Sequence, residues 1–247
     1  MGKRLKQQIR GKPTPRYKAP SHRFKVSIKY RSYDDIEKTA VLKGEVVEFI
    51  DDPARYPIVA KVLLENNEVI HIIAPEGIAI GDEIEVGAQA RPMLGSIMPL
   101  YAIPDGSYIY NIEKVPGDGG KFVRTAGSYA ILVSKDDKFA YVKMPSKKII
   151  PFNLDCRAEI GVISGGGFKE KPLLKAGNAF YKWKARNKLW PKSRGVKMSA
   201  YDHPFGGKQH HEGKPTTVAR NAPPGSKVGH IAARQTGRRS RKTKGRG

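Results

Sequence analysis

The sequence predicts an all-β fold of two small barrels with long basic ends, and three observations carry that expectation. Between residues 37 and 164, short apolar or alternating runs are separated by turn signals. The 247-residue chain has a formal net charge of +23, and the excess sits at its two ends. Beyond Phe205 the apolar content collapses.

The chain opens with "MGKRLKQQIRGKPTPRYKAPSHR", which has too few apolar residues to offset the entropy of fixing its backbone. Residues 1 to 36 therefore read as a basic extension that takes shape only against a partner. "AVLKGEVVEFI", "IVAKVLLE", "EVIHIIA" and "DEIEVG" then supply strands of a first barrel over residues 37 to 88, with Asn66 and Asn67 suited to a tight turn. A second barrel over residues 89 to 164 follows the Pro-containing joint "ARPMLGSIMPLYAIPDG", which lies near residues 88 to 104. Its strands are "SYIYNIE", "YAILVSK", "FAYVKM", "KKIIPFN" and "RAEIGVIS", with turns at Asp136 and Asp137 and at Pro145 and Ser146. Residues 165 to 247 form a basic, Gly/Pro-rich extension. Leu174, Phe180, Tyr181 and Trp183 predict one short helix in it, ended before Pro191. Residues 206 to 247 hold only Val218, Val228 and Ile231 as large aliphatics, so this tail too is expected to order on a partner.

Residues 1 to 25 hold 9 Lys or Arg and no acid, residues 26 to 163 hold 16 basic against 20 acidic, and residues 164 to 247 hold 21 against 3. Such a charge repels itself unless a polyanion neutralises it, and nucleic acid is the first candidate. Gly and Pro break the basic regions, which disfavours a membrane surface. No run of 18 apolar residues exists, no apolar stretch follows the basic start, and Lys6 stands where a myristoylation signal needs Ser or Thr. The chain reads as cytosolic, without a small-molecule substrate. Cys156 has no second cysteine to pair with and reads as a packed small residue.

"SAYDHPFGGKQHHEGKP", residues 199 to 215, raises the question of a metal or catalytic site in Asp202, His203, His210, His211 and Glu212. Zinc ligands pair three to five residues apart on a rigid element. His203 and His210 are seven apart across Pro204, Gly206 and Gly207, and adjacent His210 and His211 would point apart in an extended chain. A nucleophilic triad would need a packed surround that this segment lacks. Interleaved Gly, Lys, Arg and His instead suit a strand threaded through folded RNA, because glycine admits close approach to phosphate and the cations replace counterions.

Several long motifs resemble one family. "RGVKMSAYDHPFGG" at residues 194 to 207 carries the resemblance, with "EKVPGDGGKFVRTAGSYA" and "LDCRAEIGVISGGG" upstream and "ARNAPPGSKVGHIAARQTGRR" downstream. On these the chain is identified as a member of the universal large-subunit ribosomal protein 2 family, on its archaeal or eukaryotic side. The resemblance implies an oligonucleotide/oligosaccharide-binding (OB)-type barrel followed by an SH3-like barrel, with both ends penetrating large-subunit ribosomal RNA. It further implies a role in subunit association, in tRNA binding and in support of the peptidyl transferase region, whose chemistry belongs to RNA. Asp202, His203 and Pro204 map to that region, and Phe205 replaces a second histidine found in many relatives, which favours a structural role for the segment.

The candidate RNA contacts are Lys3, Arg4, Arg10, Arg16 and Arg23 at the start, and Lys121 and Arg124 in the Gly-rich turn. Lys182, Lys184, Arg186, Lys188, Trp190 and Arg194 mix charge with aromatics, which suits phosphate contact plus stacking. His203, Gly206, Gly207, Lys208, His210, Lys214, Arg220, Lys227, Arg234, Arg238, Arg239 and Arg241 complete the set. Expected partners are large-subunit ribosomal RNA, neighbouring ribosomal proteins and the small subunit. No cofactor is expected beyond Mg2+ or monovalent ions bridging the tail to RNA. The rival classes are a metal-dependent nucleic-acid hydrolase and an architectural DNA-binding protein. The first requires a bound divalent ion, and the second requires equal affinity for duplex DNA and folded RNA.

Overall fold

Apolar residues at alternate positions put one face of each strand into a core, and most of the predicted strands form where that alternation runs. A computed structural model describes residues 2–10, 18–207 and 216–234. Its helices are α1 (Lys6–Ile9), α2 (Asp35–Thr39) and α3 (Ala176–Ala185). Its strands are β1 (Val41–Ile50), β2 (Val59–Leu64), β3 (Val69–Ile73), β4 (Glu83–Gly87), β5 (Ile97–Pro99), β6 (Tyr108–Tyr110), β7 (Ala130–Lys135), β8 (Phe139–Lys143), β9 (Ile149–Asn153), β10 (Arg157–Ile160), β11 (Thr217–Val218) and β12 (His230–Ile231). The chain divides into two compact units, residues 21–172 and residues 1–20 with 173–247. The fold is all-β, with an OB-type barrel followed by an SH3-like barrel.

In the first unit the ladder runs β3-β2-β1-β4-β5-β10-β6-β7-β8-β9. β1 to β4 pair antiparallel around a core of Val46, Val62, Leu64, Ile70, Ile72, Ile84 and Val86. Gly44 is needed here, because a side chain would run into Leu64 and Val62 of β2. The second core gathers Leu100, Ile109, Ile112, Leu132, Ala140, Val142, Phe152 and Ala158. Cys156 is fully buried in it, and burial pushes its thiol up to about 12.

The joint between the barrels is itself structural. Pro-broken "RPMLGSIMP" hides β5, which pairs parallel with β4 and antiparallel with β10 and so carries one ladder into the other. Residues 21–36, assigned from the sequence to the basic extension, cluster with the barrels. In "FKVSIKY" Ile28 and Tyr30 are buried while Lys25, Ser27 and Lys29 face out, and Lys29 bridges to His71 of β3. Asp34 caps α2 by accepting the Glu37 N–H at 3.0 Å.

Charges lie inside this unit because they are paired. Arg157 is 1% exposed. Its Nη1 donates to Glu37 Oε1 at 2.7 Å and to the Arg31 carbonyl at 3.0 Å, and its Nη2 donates to Glu113 Oε1 at 2.8 Å. The rings of Tyr30 and Tyr33 lie 5.1 and 4.9 Å from its guanidinium carbon. Arg31 closes the network on Asp34, Glu37 and Glu68.

Glu159 is different: it is wholly buried among tyrosines, and desolvation pushes its carboxyl up to about 7 against the bond that its Oε1 accepts from Asn111 Nδ2 at 2.6 Å. The folded chain thus holds a proton that an unfolded glutamate releases near pH 4.5. This contribution is full below pH 4.5 and is lost as pH rises to about 7. At 1.36 kcal/mol per unit it amounts to about 3 kcal/mol. Urea unfolding across that window should show wild type losing stability relative to Glu159→Gln, and parallel curves would refute the assignment.

In the second unit the two ends fold on each other, where the sequence reading leaves them separate. The Lys3 N–H donates to the Tyr201 carbonyl at 2.9 Å and Gln7 Nε2 to the Lys227 carbonyl at 3.1 Å. Leu5 and Val228 are buried, and β11 pairs parallel with β12. The predicted helix forms as α3 over Ala176–Ala185, with none of its ten residues buried, and Leu174 lies just before it at a φ of 57°.

Candidate nucleic-acid interface

Alternation along residues 24–30 presents Lys25 and Lys29 on one side of the segment and turns carbonyls to a pair of arginines. Arg55 Nη2 donates to the Val26 carbonyl at 3.3 Å and Arg124 Nη2 to the Ile28 carbonyl at 3.2 Å. Arg124 Nη1 also donates to the Gly120 carbonyl at 3.1 Å. Arg55 is ion-paired at 3.2 Å with the buried Asp52, whose other oxygen accepts the backbone N–H groups of Lys25 and Ala54. Phe24, Lys25, Val26, Ser27, Ile28, Lys29, Arg55, Lys121 and Arg124 line a groove of about 520 Å³.

The Gly-rich turn that brings Lys121 and Arg124 to this groove is fixed from inside. Glu113 accepts N–H bonds from Gly117, Gly119 and Arg157 at 3.2, 2.9 and 2.9 Å. Gly120 has a φ of 85°, and any side chain there would collide with Asn111. Five cations therefore face one groove. Burial lowers the Arg55 pKa, Arg124 lowers it further, and Asp52 opposes both. The Arg55 Nη1 donor is buried without a hydrogen-bond partner among the described residues. Clustered guanidinium donors on rigid supports are suited to a phosphodiester, which supplies acceptors and charge together.

In the end unit His203 is a packed residue. Its Nδ1 accepts the Phe205 N–H at 3.0 Å, which leaves the ring proton on Nε2, and its ring meets that of Phe205 edge-on at 5.2 Å. Burial lowers its pKa. Asp202 accepts from Ser199 Oγ at 3.1 Å and pairs with Lys3 at 3.5 Å. Gly206 packs where a side chain would strike the Ser199 carbonyl, and the Gly207 N–H donates to the Met198 carbonyl at 3.2 Å. His203 lines two cavities of about 580 and 360 Å³, one shared with Gln7 and Lys227 and the other with Lys3, Arg4 and Pro204.

Two family models cover most of the chain: "Ribosomal Proteins L2, RNA binding N-terminal domain" over residues 4–86 and "Ribosomal Proteins L2, C-terminal domain" over residues 93–229. The chain belongs to the ribosomal protein L2 family. Proteins named "Large ribosomal subunit protein uL2" are 51% identical to it in Methanopyrus kandleri, over 98% of this chain and 100% of the relative. The one in Methanothermobacter thermautotrophicus is also 51% identical, over 97% and 100%. That in Methanobrevibacter smithii is 52% identical, over 96% and 99%. The L2 family consists of structural, non-enzymatic proteins.

The two L2 domains share the groove. Lys25, Lys29 and Arg55 fall in the N-terminal match, and Lys121 and Arg124 in the C-terminal one. Of these five the sequence marks only Lys121 and Arg124. The alternation in "FKVSIKY" could have exposed Lys25 and Lys29, but nothing local marks Arg55, 69 positions from Arg124. Arg23 lies next to the groove in the chain, in a short 3-10 turn, but does not line it.

The structure brings Lys3, Arg4, His203 and Lys227 around the two cavities of the end unit. Arg10 ends α1, and Arg194, Arg220 and Arg234 lie on separate loops. Lys182 and Lys184 sit on α3, and Arg186 follows it. Lys184 and Lys188 lie 6.0 and 5.6 Å over the rings of Phe180 and Trp183, while Trp190 stands beyond the helix, half-buried. Arg16, Lys208, His210, His211, Glu212, Lys214, Arg238, Arg239 and Arg241 lie outside the described residues. Among those described, no group of three His, Cys, Asp or Glu could hold a metal ion, and no helix is long and apolar enough to cross a membrane.

Proposed function

We propose that the chain is a structural constituent of the large ribosomal subunit in the cytoplasm, where it binds large-subunit ribosomal RNA and performs no chemistry of its own. The groove carries this reading: two arginines held by backbone carbonyls, one of them paired with a buried aspartate, stand beside three exposed lysines and together form a receptor for phosphate. Membership in the L2 family supports it, as does the description of the matching N-terminal domain as RNA binding.

The finer roles follow from the same reading. The end unit, with the His203 ring held against Phe205, supports RNA around the peptidyl transferase region, helps the subunits associate and aids tRNA binding. A histidine whose Nδ1 is occupied by a backbone N–H suits a structural support better than proton transfer. Neighbouring ribosomal proteins and the small subunit complete the partners. Mg2+ or monovalent ions would be held together with RNA rather than by the protein alone.

If roughly ten phosphates are engaged, log affinity for ribosomal RNA should fall against log salt with a slope of about −7 to −9. Filter binding between about 50 and 200 mM KCl measures it. A flat dependence would remove electrostatic RNA binding as the function.

A further inference from the structure

The outer face of the second barrel carries a row of residues that the groove does not use. Tyr108 is in register with Ile131, Ile131 with Lys143, and Lys143 with Ile149, so these four stand side by side across β6, β7, β8 and β9. Their chain neighbours Ile109, Ala130, Leu132 and Val142 point into the core. The row itself is open, with Tyr108 51% and Ile149 56% exposed. Tyr129, 42% exposed, meets Tyr108 edge to face with ring centroids 4.8 Å apart.

Charge distinguishes the two ends of this face. Lys143, Lys147 and Lys148 are exposed at the β8–β9 turn and have no ion pair among the described residues. The acids lie at the other end. Asp105 pairs there with Lys135 at 3.8 Å, the Asp136 N–H donates to the Phe139 carbonyl, and the Asp155 N–H donates to Oδ1 of Asn153, the register partner of Phe139. A protein-docking core is depleted in lysine. Exposed tyrosines beside unpaired lysines instead match what single-stranded nucleic acid requires, a ring face for each base and a cation for the phosphate that follows. Three strand spacings give the row a span of about 14 Å, the scale on which four-stranded sheets stack two or three bases.

We propose that this face is a second RNA-contact surface, which takes unstacked bases of a single-stranded or bulged segment on Tyr108 and Tyr129 and its phosphates on Lys143, Lys147 and Lys148. It rests on the reading that the chain binds RNA, but it involves none of the residues of the groove.

The test uses the full chain, a 12-nucleotide single-stranded RNA and the corresponding duplex, with affinities read by fluorescence anisotropy at one salt concentration. Tyr108→Ala with Tyr129→Ala should bind the single strand about tenfold more weakly and the duplex nearly as wild type does. Irradiation of the wild-type complex should crosslink nucleotide to Tyr108 or Tyr129. Unchanged single-strand affinity without such crosslinks would overturn the proposal and leave the face to a protein partner. Arg55→Ala with Arg124→Ala separates the two readings. Loss of binding in that variant alone would keep the groove and discard this face, and a wild-type chain that binds neither RNA would discard both.

Discussion

Arg157→Ala is expected to destabilise the barrel unit by about 3 to 5 kcal/mol, the usual cost of stranding buried charge. Among the described residues its guanidinium is the one group that touches both Glu37, on α2, and Glu113, beneath the Gly-rich turn. Glu37 would keep Arg31 at 3.2 Å, and Glu113 would keep its backbone donors, so part of the network survives. Each would still be a buried carboxylate short of its nearest cation. Arg157→Lys should lose less, because the charge stays while the fork that reaches both carboxylates is gone. Urea unfolding monitored by tyrosine fluorescence would measure both. A loss below about 1 kcal/mol in the alanine variant would show that the network does not tie these segments together. Because Glu113 also fixes Gly117 and Gly119, the alanine variant should loosen the turn that presents Arg124.

Arg55→Ala combined with Arg124→Ala should weaken ribosomal RNA binding on the order of hundredfold near 0.1 M salt, because each charge-assisted hydrogen bond contributes about 1.5 to 3 kcal/mol. The slope of log affinity against log salt should shrink by about two, since each arginine removed leaves one phosphate with its own counterion. Arg55 also neutralises the fully buried Asp52, so its removal strains the fold as well as the surface. Lys121→Ala, at an exposed position in the same groove, touches no buried charge and provides a control free of that strain. It should lower affinity without moving the unfolding midpoint. Folded variants with wild-type affinity and an unchanged slope would mean that RNA does not enter this groove.

The strands most legible in the sequence are those that lie in long apolar or alternating runs. β1, β2, β3, β7 and β8 lie within the apolar runs that predict them, and the turn at Asn67 takes the positive φ that asparagine tolerates. β5 escapes a sequence reading because a three-residue strand that ends on Pro99 carries no period, and α2 because five residues are too few to show one. The candidate site is half legible for a similar reason. Lys121 and Arg124 stand in a conspicuous glycine turn, whereas Arg55 takes its place only through contacts with Val26 and Asp52.

Read along the chain alone, the residues establish the fold class, the separation of an almost neutral middle from cationic ends, and the polyanionic character of the partner. Those properties are sums over many residues or repeats along the chain, so they need no knowledge of who touches whom. Only folding in three dimensions brings Arg157 to Glu37 across 120 positions and Gln7 to Lys227 across 220, and gathers five scattered cations into one groove. Periodicity tells a side chain which way to face. A buried charge or a phosphate receptor depends on what it faces, and that partner is supplied by the path of the chain through space.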